Sequence, residues 1–323
     1  MTEKVLVTGA NGLLGTNIVL DLLERGYAVK ALVRNPGSLM HIANAGYELA
    51  KGDITDKKRL IELSENCDYI IHTAANTSQS LLKAEDYDEA NLHGTQNVID
   101  AGKINNIKRL VYIGTANTYG YGSLEDLGNE KKAIKYPFTK SNYAISKTKV
   151  QALVDKETDN IDLITVSPTF MIGAYDSKPS SGKMVLMVLN KKIVFYPKGG
   201  KNFVHVKDVS LAAIKAMKQG QRGEKYLLAN ENMSYRDFFR LVAKRNNQKT
   251  IFINVPKPIL LLAGIIGSGI RRLGFPIQLS YTNTRILTIN NYYSNKKAKE
   301  GLGIEFRSVE SAVDDAIRWF ADR

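Results

Sequence analysis

The chain has 323 residues, 44% hydrophobic and 24% charged, the composition of a globular protein with one large α/β domain or two smaller ones. Its only cysteine, Cys67, excludes an intrachain disulfide and a cysteine-based metal site, so a reducing, cytoplasmic setting and no metal are expected. A net charge of +13 suits nucleic acid, a membrane surface or anionic ligands, but the Lys and Arg are scattered and form no aromatic-interleaved basic stripe, which argues against nucleic acid.

The chain enters its first predicted strand at once, leaving no room for a secretion signal, and no apolar run approaches the roughly 18 residues that span a bilayer. Val5–Val7 is a short apolar run followed by Gly9, Gly12 and Gly15 and then by the amphipathic stretch Ile18–Leu23. That order reads as a buried strand, a tight turn and a helix. Gly9 permits the turn, Gly12 lets backbone approach a pyrophosphate at the helix N-terminus, and Gly15 lets helix and strand pack closely. The expectation is dinucleotide binding. A second strand, Ala28–Val33, ends in Arg34, where an NAD-specific site carries a carboxylate for the ribose 2′-hydroxyl. A guanidinium matches a 2′-phosphate instead, so NADP(H) is preferred and NAD(H) is the secondary cofactor.

Further strands are predicted at Tyr47–Ala50, Asp68–His72, Arg109–Ile113, Ile161–Val166 and Lys225–Ala229. Lys57–Leu63 reads as a helix capped by Thr55 or Asp56, and Ser234–Lys244 as one capped by Ser234. Tyr143 and Lys147 are four apart and share a helix face. The run Pro256–Phe275 is apolar, glycine-broken and closed by Arg271 and Arg272. It is expected to be a core or pocket helix or a subunit contact, the alternative being a helix that lies on a membrane. Val309–Phe320 should dock on the body as the last helix.

The glycine spacing T-G-x-x-G-x-x-G resembles the extended branch of the short-chain dehydrogenase/reductase superfamily, the NAD-dependent epimerase/dehydratase family. The likeness continues through His72-Thr73-Ala74-Ala75, the Asn91–Val98 helix, Thr115 to Gly120, Tyr143-x-x-x-Lys147, Ser167-Pro168-Thr169 and Phe203–Val209. It is greatest toward the dihydroflavonol-4-reductase-like and 3β-hydroxysteroid-dehydrogenase-like members. The resemblance implies a doubly wound parallel sheet, a Rossmann fold, over residues 1–165. A smaller C-terminal α/β substrate lobe over 166–323 would send segments such as 203–218 back to the first.

For the site, the resemblance implies catalysis by Thr115, Tyr143 and Lys147. Gly9, Asn11, Gly12, Leu13, Leu14, Arg34, Asp53, Ile54, Thr73, Ala74, Ala75, Tyr143, Lys147, Pro168 and Thr169 would hold the cofactor, with His72 and His205 structural. A free tyrosine, with a pKa near 10, is a poor base at neutral pH. A neighbouring ammonium and an oxidised nicotinamide should lower that value, so that Tyr143 exchanges a proton with a carbonyl or alcohol oxygen. The implied activity is NADP(H)-dependent reduction of a ketone or aldehyde of a mostly apolar or cyclic molecule, or the reverse oxidation. A nucleotide-sugar epimerase or dehydratase is the alternative; Arg34, Ser167 and Lys201 speak against it. A non-catalytic NADP-sensing regulator is the third reading, and a homodimer is the family's usual assembly.

Overall fold

The computed structural model describes residues 2–321, the side chains at 40 and 41 excepted. The first half alternates strand and helix: β1 (Lys4–Thr8), α1 (Leu13–Glu24), β2 (Ala28–Val33), β3 (Glu48–Lys51), α2 (Lys57–Ser64), β4 (Tyr69–His72), α3 (Gly94–Ile104), β5 (Arg109–Ile113), α4 (Asn142–Glu157) and β6 (Leu163–Pro168). The second half is more broken. It runs β7 (Phe170–Ile172), α5 (Lys183–Leu186), β8 (Ile193–Pro197), β9 (Gly200–His205), α6 (Val206–Gln219), β10 (Lys225–Leu228) and β11 (Glu231–Ser234). It ends with α7 (Tyr235–Arg245), β12 (Ile251–Val255), α8 (Lys257–Arg272), α9 (Tyr281–Ile286), β13 (Asn290–Asn291), α10 (Lys296–Leu302) and α11 (Val309–Ala321).

Seven strands make one parallel sheet in the order β10-β6-β5-β4-β1-β2-β3. The strand order reverses between β1 and β4, the place where an α/β sheet opens a crevice at its carboxyl ends. Both sheet faces are covered, so the strands are apolar runs. Val5 and Val7 point to one side, where they join Ile18, Leu22 and residues of α6; Leu6 points to the other and meets Leu60, Val98, Val150 and Val154. Burying each such side chain fully contributes roughly 1.5–3 kcal/mol. The caps predicted for two helices are present: the Asp56 side chain accepts from Arg59 N–H, and that of Ser234 from Asp237 N–H.

Beside this sheet stands a smaller layer. β9 pairs antiparallel with β11 and parallel with β7 and β13, while β8 and β12 form a separate parallel pair. Its own core holds Ile172, Phe203, Phe238 and Val313, with the Phe203 and Phe238 rings stacked at 4.1 Å. The stretch 121–138 is tied down by single bridges from Gly122 to Tyr292 and from Gly128 to Tyr293.

The expectation of a core or pocket helix over 256–275 is corrected. Only Gly264 and Gly267 of α8 are buried. A Cβ at Gly264 would meet the Thr284 hydroxyl, and one at Gly267 would come 2.6 Å from the Leu279 side chain. The helix therefore rests on its glycine side and turns its large side chains outward: Leu262 is 59% exposed, Ile266 57% and Leu273 77%. Among the described residues no helix is long and apolar enough to cross a membrane.

Candidate active site

At the carboxyl ends of β1–β4 lies a cavity of about 380 Å³ lined by Gly9, Asn11, Arg34, Asp53, Ile54, Ala74 and Ala75, among others. Gly9 has φ +67°, the left-handed region open to glycine, and a Cβ there would lie 2.7 Å from the Ala74 nitrogen. A Cβ at Gly15 would strike the Gly9 carbonyl, so α1 packs against its own turn only because position 15 is bare. Gly12 is the N-cap of α1 and no side chain caps it, which leaves the first-turn N–H groups, Leu13 and Leu14 included, free for an anion. The Leu13 and Leu14 side chains themselves are buried. Asn11 Nδ2 donates to Ser38 Oγ at 2.8 Å and fastens this loop to the turn after β2.

Arg34 and Asp53 face each other across the cavity mouth. The guanidinium is 83% exposed on its side chain and stands 3.9 Å from Asp53 Oδ2. Asp53 Oδ1 is occupied, accepting from Thr55 N–H and Thr55 Oγ1 at 3.0 Å each. Thr73 Oγ1 donates to the Thr8 carbonyl at 2.7 Å, which places Thr73–Ala75 alongside the glycine turn. His72 lies beneath, fully buried between the hydroxyls of Thr8 (2.7 Å) and Thr95 (3.0 Å). Burial, and then the charge of Lys147, hold its pKa down to about 3. It is a neutral packing group. His205 likewise is bound into the fold, accepting from Lys207 N–H and facing Asp315 at 3.4 Å.

One strand further along the sheet, Thr115 follows the end of β5, and α4 lies over it. Ser141 caps α4, accepting from Ala144 N–H, and so sets the first turn that carries Tyr143. Lys147 Nζ donates to the Ile113 carbonyl at 3.2 Å and sits 4.6 Å from the centre of the Tyr112 ring. Burial without a carboxylate partner lowers its pKa to about 7. Tyr143 meets the Thr115 hydroxyl, and its ring lies 6.1 Å from that of Tyr87. Burial raises the Tyr143 pKa to about 12, with the Thr115 hydroxyl pulling the other way. The sequence expectation of a lowered value does not hold for the protein's own groups: desolvation of the phenolate outweighs them. Pro168 ends neighbouring β6, and the Thr169 hydroxyl next to it donates to Asn202 Oδ1 at 2.7 Å.

The residues that sequence reasoning missed hold the segment after Ala75. Asn76, Thr77 and Ser78 line the cavity. Asn91 clasps Asn76 from both sides, accepting from its N–H at 2.7 Å and donating to its carbonyl at 3.1 Å, and reaches Ser146 on α4. Tyr87 donates to the Ser78 carbonyl, Asn142 Nδ2 to Leu82 at 2.7 Å, and Arg271 of α8 to Ser80 at 2.8 Å and to Leu81. Only the family-like helix around Asn91 carried a signal in the sequence. A wider open depression of about 720 Å³ lies at the opposite ends of the strands, around Glu3, Arg25 and Lys108. Glu3 there is engaged by Lys108 and Lys218, and the position is the wrong end of an α/β sheet for a ligand.

An uncapped helix N-terminus, a glycine-rich turn, a cation at the rim and an apolar side chain at Ile54 together fit a dinucleotide. The family model described as "NAD dependent epimerase/dehydratase family" matches residues 5–229. A Synechocystis sp. protein assigned provisionally as a dihydroflavonol 4-reductase is 27% identical, the match covering 99% of this chain and 95% of that one. The 4-hydroxy-2-methyl-3-oxo-4-farnesyl-3,4-dihydroquinoline-1-oxide ketoreductase of Stigmatella aurantiaca is 27% identical over 98% of this chain and 96% of its own. Among solved structures, gox2253 aligns with a TM-score of 0.86 at 28% identity, covering 99% of this chain and 98% of that chain.

Proposed function

The chain belongs to the NAD-dependent epimerase/dehydratase family, the extended short-chain dehydrogenases/reductases, and is an NAD(P)-dependent oxidoreductase; from that premise we propose that it uses NADPH to reduce a ketone or aldehyde on an apolar or cyclic small molecule. The observation that carries this reading is the Thr115, Tyr143 and Lys147 cluster after β5, with only β4 between it and the glycine cradle after β1. A phenol raised to about 12 carries its proton at neutral pH and so has one to give to a carbonyl oxygen as negative charge develops there, a transfer that the positive charge of an oxidised nicotinamide would ease. Thr115 would orient that oxygen by hydrogen bonding. The nicotinamide, when bound, supplies the hydride.

The same reading assigns the holding roles. Gly12 and the N–H groups of Leu13 and Leu14 would take the pyrophosphate, and Arg34 the 2′-phosphate, which favours NADP(H) over NAD(H). Asp53 and Ile54 would flank the adenine, Thr73–Ala75 the ribose, Lys147 the nicotinamide ribose, and Pro168 with Thr169 the carboxamide. The stretch 121–138 and the smaller layer would shape the substrate side. The names of the reductase relatives support carbonyl reduction.

The test is a titration of purified protein with NADPH and NADH, followed by a panel of ketones and aldehydes. Exchangeable NADPH bound at least tenfold more tightly than NADH, with turnover of a cyclic ketone, is expected. Tightly retained, non-exchanging NAD together with turnover of a nucleotide sugar would replace this reading with an epimerase or dehydratase.

A further inference from the structure

We propose that the outward face of α8 and the turn after it dock onto an anionic lipid bilayer. Ile259, Leu262, Ile266, Ile270 and Leu273 recur at helical spacing on this helix, and each is exposed. Phe275, three residues past the end of the helix, is also apolar and 59% exposed. Upstream, the exposed Ile251 and Ile253 of β12 lead straight into the helix. So many exposed aliphatic side chains on one helix face mark a binding face rather than scattered surface hydrophobes.

Charge decides what binds there. Residues 238–299 contain eleven Lys and Arg and no Asp or Glu; residues 177–207, which include the neighbouring strand β8, contain seven and again none. The rest of the chain has 27 Lys and Arg against 32 Asp and Glu, so the protein's entire positive excess resides in these two segments. Among the described residues no carboxylate pairs with Lys249, Lys257, Arg271, Arg272 or Arg285. A second copy of this chain would bring the same cationic face against itself and be repelled. Nucleic acid would match the charge but not the aliphatic surface. An apolar helix face with unpaired cations at both its ends, Lys257 and Arg272, is matched by acyl chains beneath anionic headgroups.

The experiment uses full-length protein and vesicle flotation. Vesicles of equal phosphatidylglycerol and phosphatidylcholine are compared with phosphatidylcholine alone. Wild type is expected to float with the anionic vesicles, at least tenfold more than with the neutral ones, and to be released by high salt. The Leu262→Glu/Ile266→Glu variant should lose at least tenfold in partition, and Lys257→Glu/Arg272→Glu should lose the preference for anionic lipid. These four side chains are exposed, and an unchanged thermal melt of each variant establishes folding without reference to cofactor or activity. Equal flotation of wild type and the Leu262→Glu/Ile266→Glu variant overturns the proposal, as does failure of wild type to float. A sedimenting dimer that this variant dissociates, with no lipid binding, overturns it in favour of a contact between copies. Binding to duplex DNA that competes fully with vesicles and survives both variants overturns it in favour of a plain polycation.

Discussion

Helices α1 and α8 are both apolar, each has glycine at its contact side, and they end in opposite situations. In α1, Gly15 lets the helix touch its own turn, while Ile18, Val19 and Leu22 are fully buried beside it. In α8 only the glycines are buried, Arg271 adds hydrogen bonds to Ser80 and Leu81, and the large aliphatic side chains point away. Glycine on an inward stripe thus does two jobs. It brings backbones together, and where the bulky residues share its face it completes a core; where they oppose it, it presents them to whatever lies outside.

The largest effect that would sharpen this contrast is at the chemistry on the α1 side of the molecule. Tyr143→Phe should lower kcat for carbonyl reduction by roughly 10²–10⁴-fold with NADPH affinity unchanged, measured by steady-state rates and a fluorescence titration. If the rate survives, the proton donor is another group. Next is Lys147, whose ordinary pKa of 10.5 burial lowers to about 7. The unfolded chain holds that proton to about pH 10.5 while the folded protein releases it near 7, so between those values the unfolded state binds more protons and stability rises with pH. Urea denaturation of nucleotide-free protein at pH 7 and pH 9.5 should show this rise, and Lys147→Met should flatten it. A slope that persists in the variant would assign it elsewhere.

Smaller, Arg34→Ala should weaken NADPH binding by about 1.5–3 kcal/mol, the worth of a hydrogen bond to a charged group, and leave NADH nearly untouched. Equal loss for both nucleotides would mean that Arg34 serves only its partner Asp53. The smallest pair tests α8 directly. Gly264→Ala must displace Thr284 and should cost about 1–3 kcal/mol of stability. Gly269→Ala has nothing within 4 Å of its new Cβ and should stabilise the helix by about 1 kcal/mol. Thermal melts read both; if Gly264→Ala is harmless, α8 is not seated on its glycines.

The sequence disclosed the sheet because its strands are apolar on both faces and are punctuated by glycine and by capping Asp and Ser. Ala28–Val33 and Arg109–Ile113 fall on β2 and β5 residue for residue. The short strands of the smaller layer were not legible: Asn290–Asn291 has no pattern to read, and its pairing comes from β9 far away in the chain. The clamps on 76–82 were hidden for the same reason, since Arg271 and Asn142 reach that segment across great separations in sequence. The apolar run Pro256–Phe275 disclosed a helix but not which of its faces is inward; the buried Gly264 and Gly267 held that answer. The scatter of lysines concealed the charge asymmetry, because what is uneven in this chain is where the carboxylates are missing.

The outer edge of β6 is covered by β10, registered from Lys225 on Thr165 to Leu228 on Pro168. A chain ended soon after β6 would carry every residue of the glycine cradle and of the Tyr143 cluster, yet it would finish in a row of unpaired N–H and C=O groups that invites pairing with another chain. During synthesis the sheet likewise stays unfinished until Leu228 has left the ribosome. The half that carries the glycine cradle is therefore not a severable module: its last hydrogen bonds are supplied by the half that follows it.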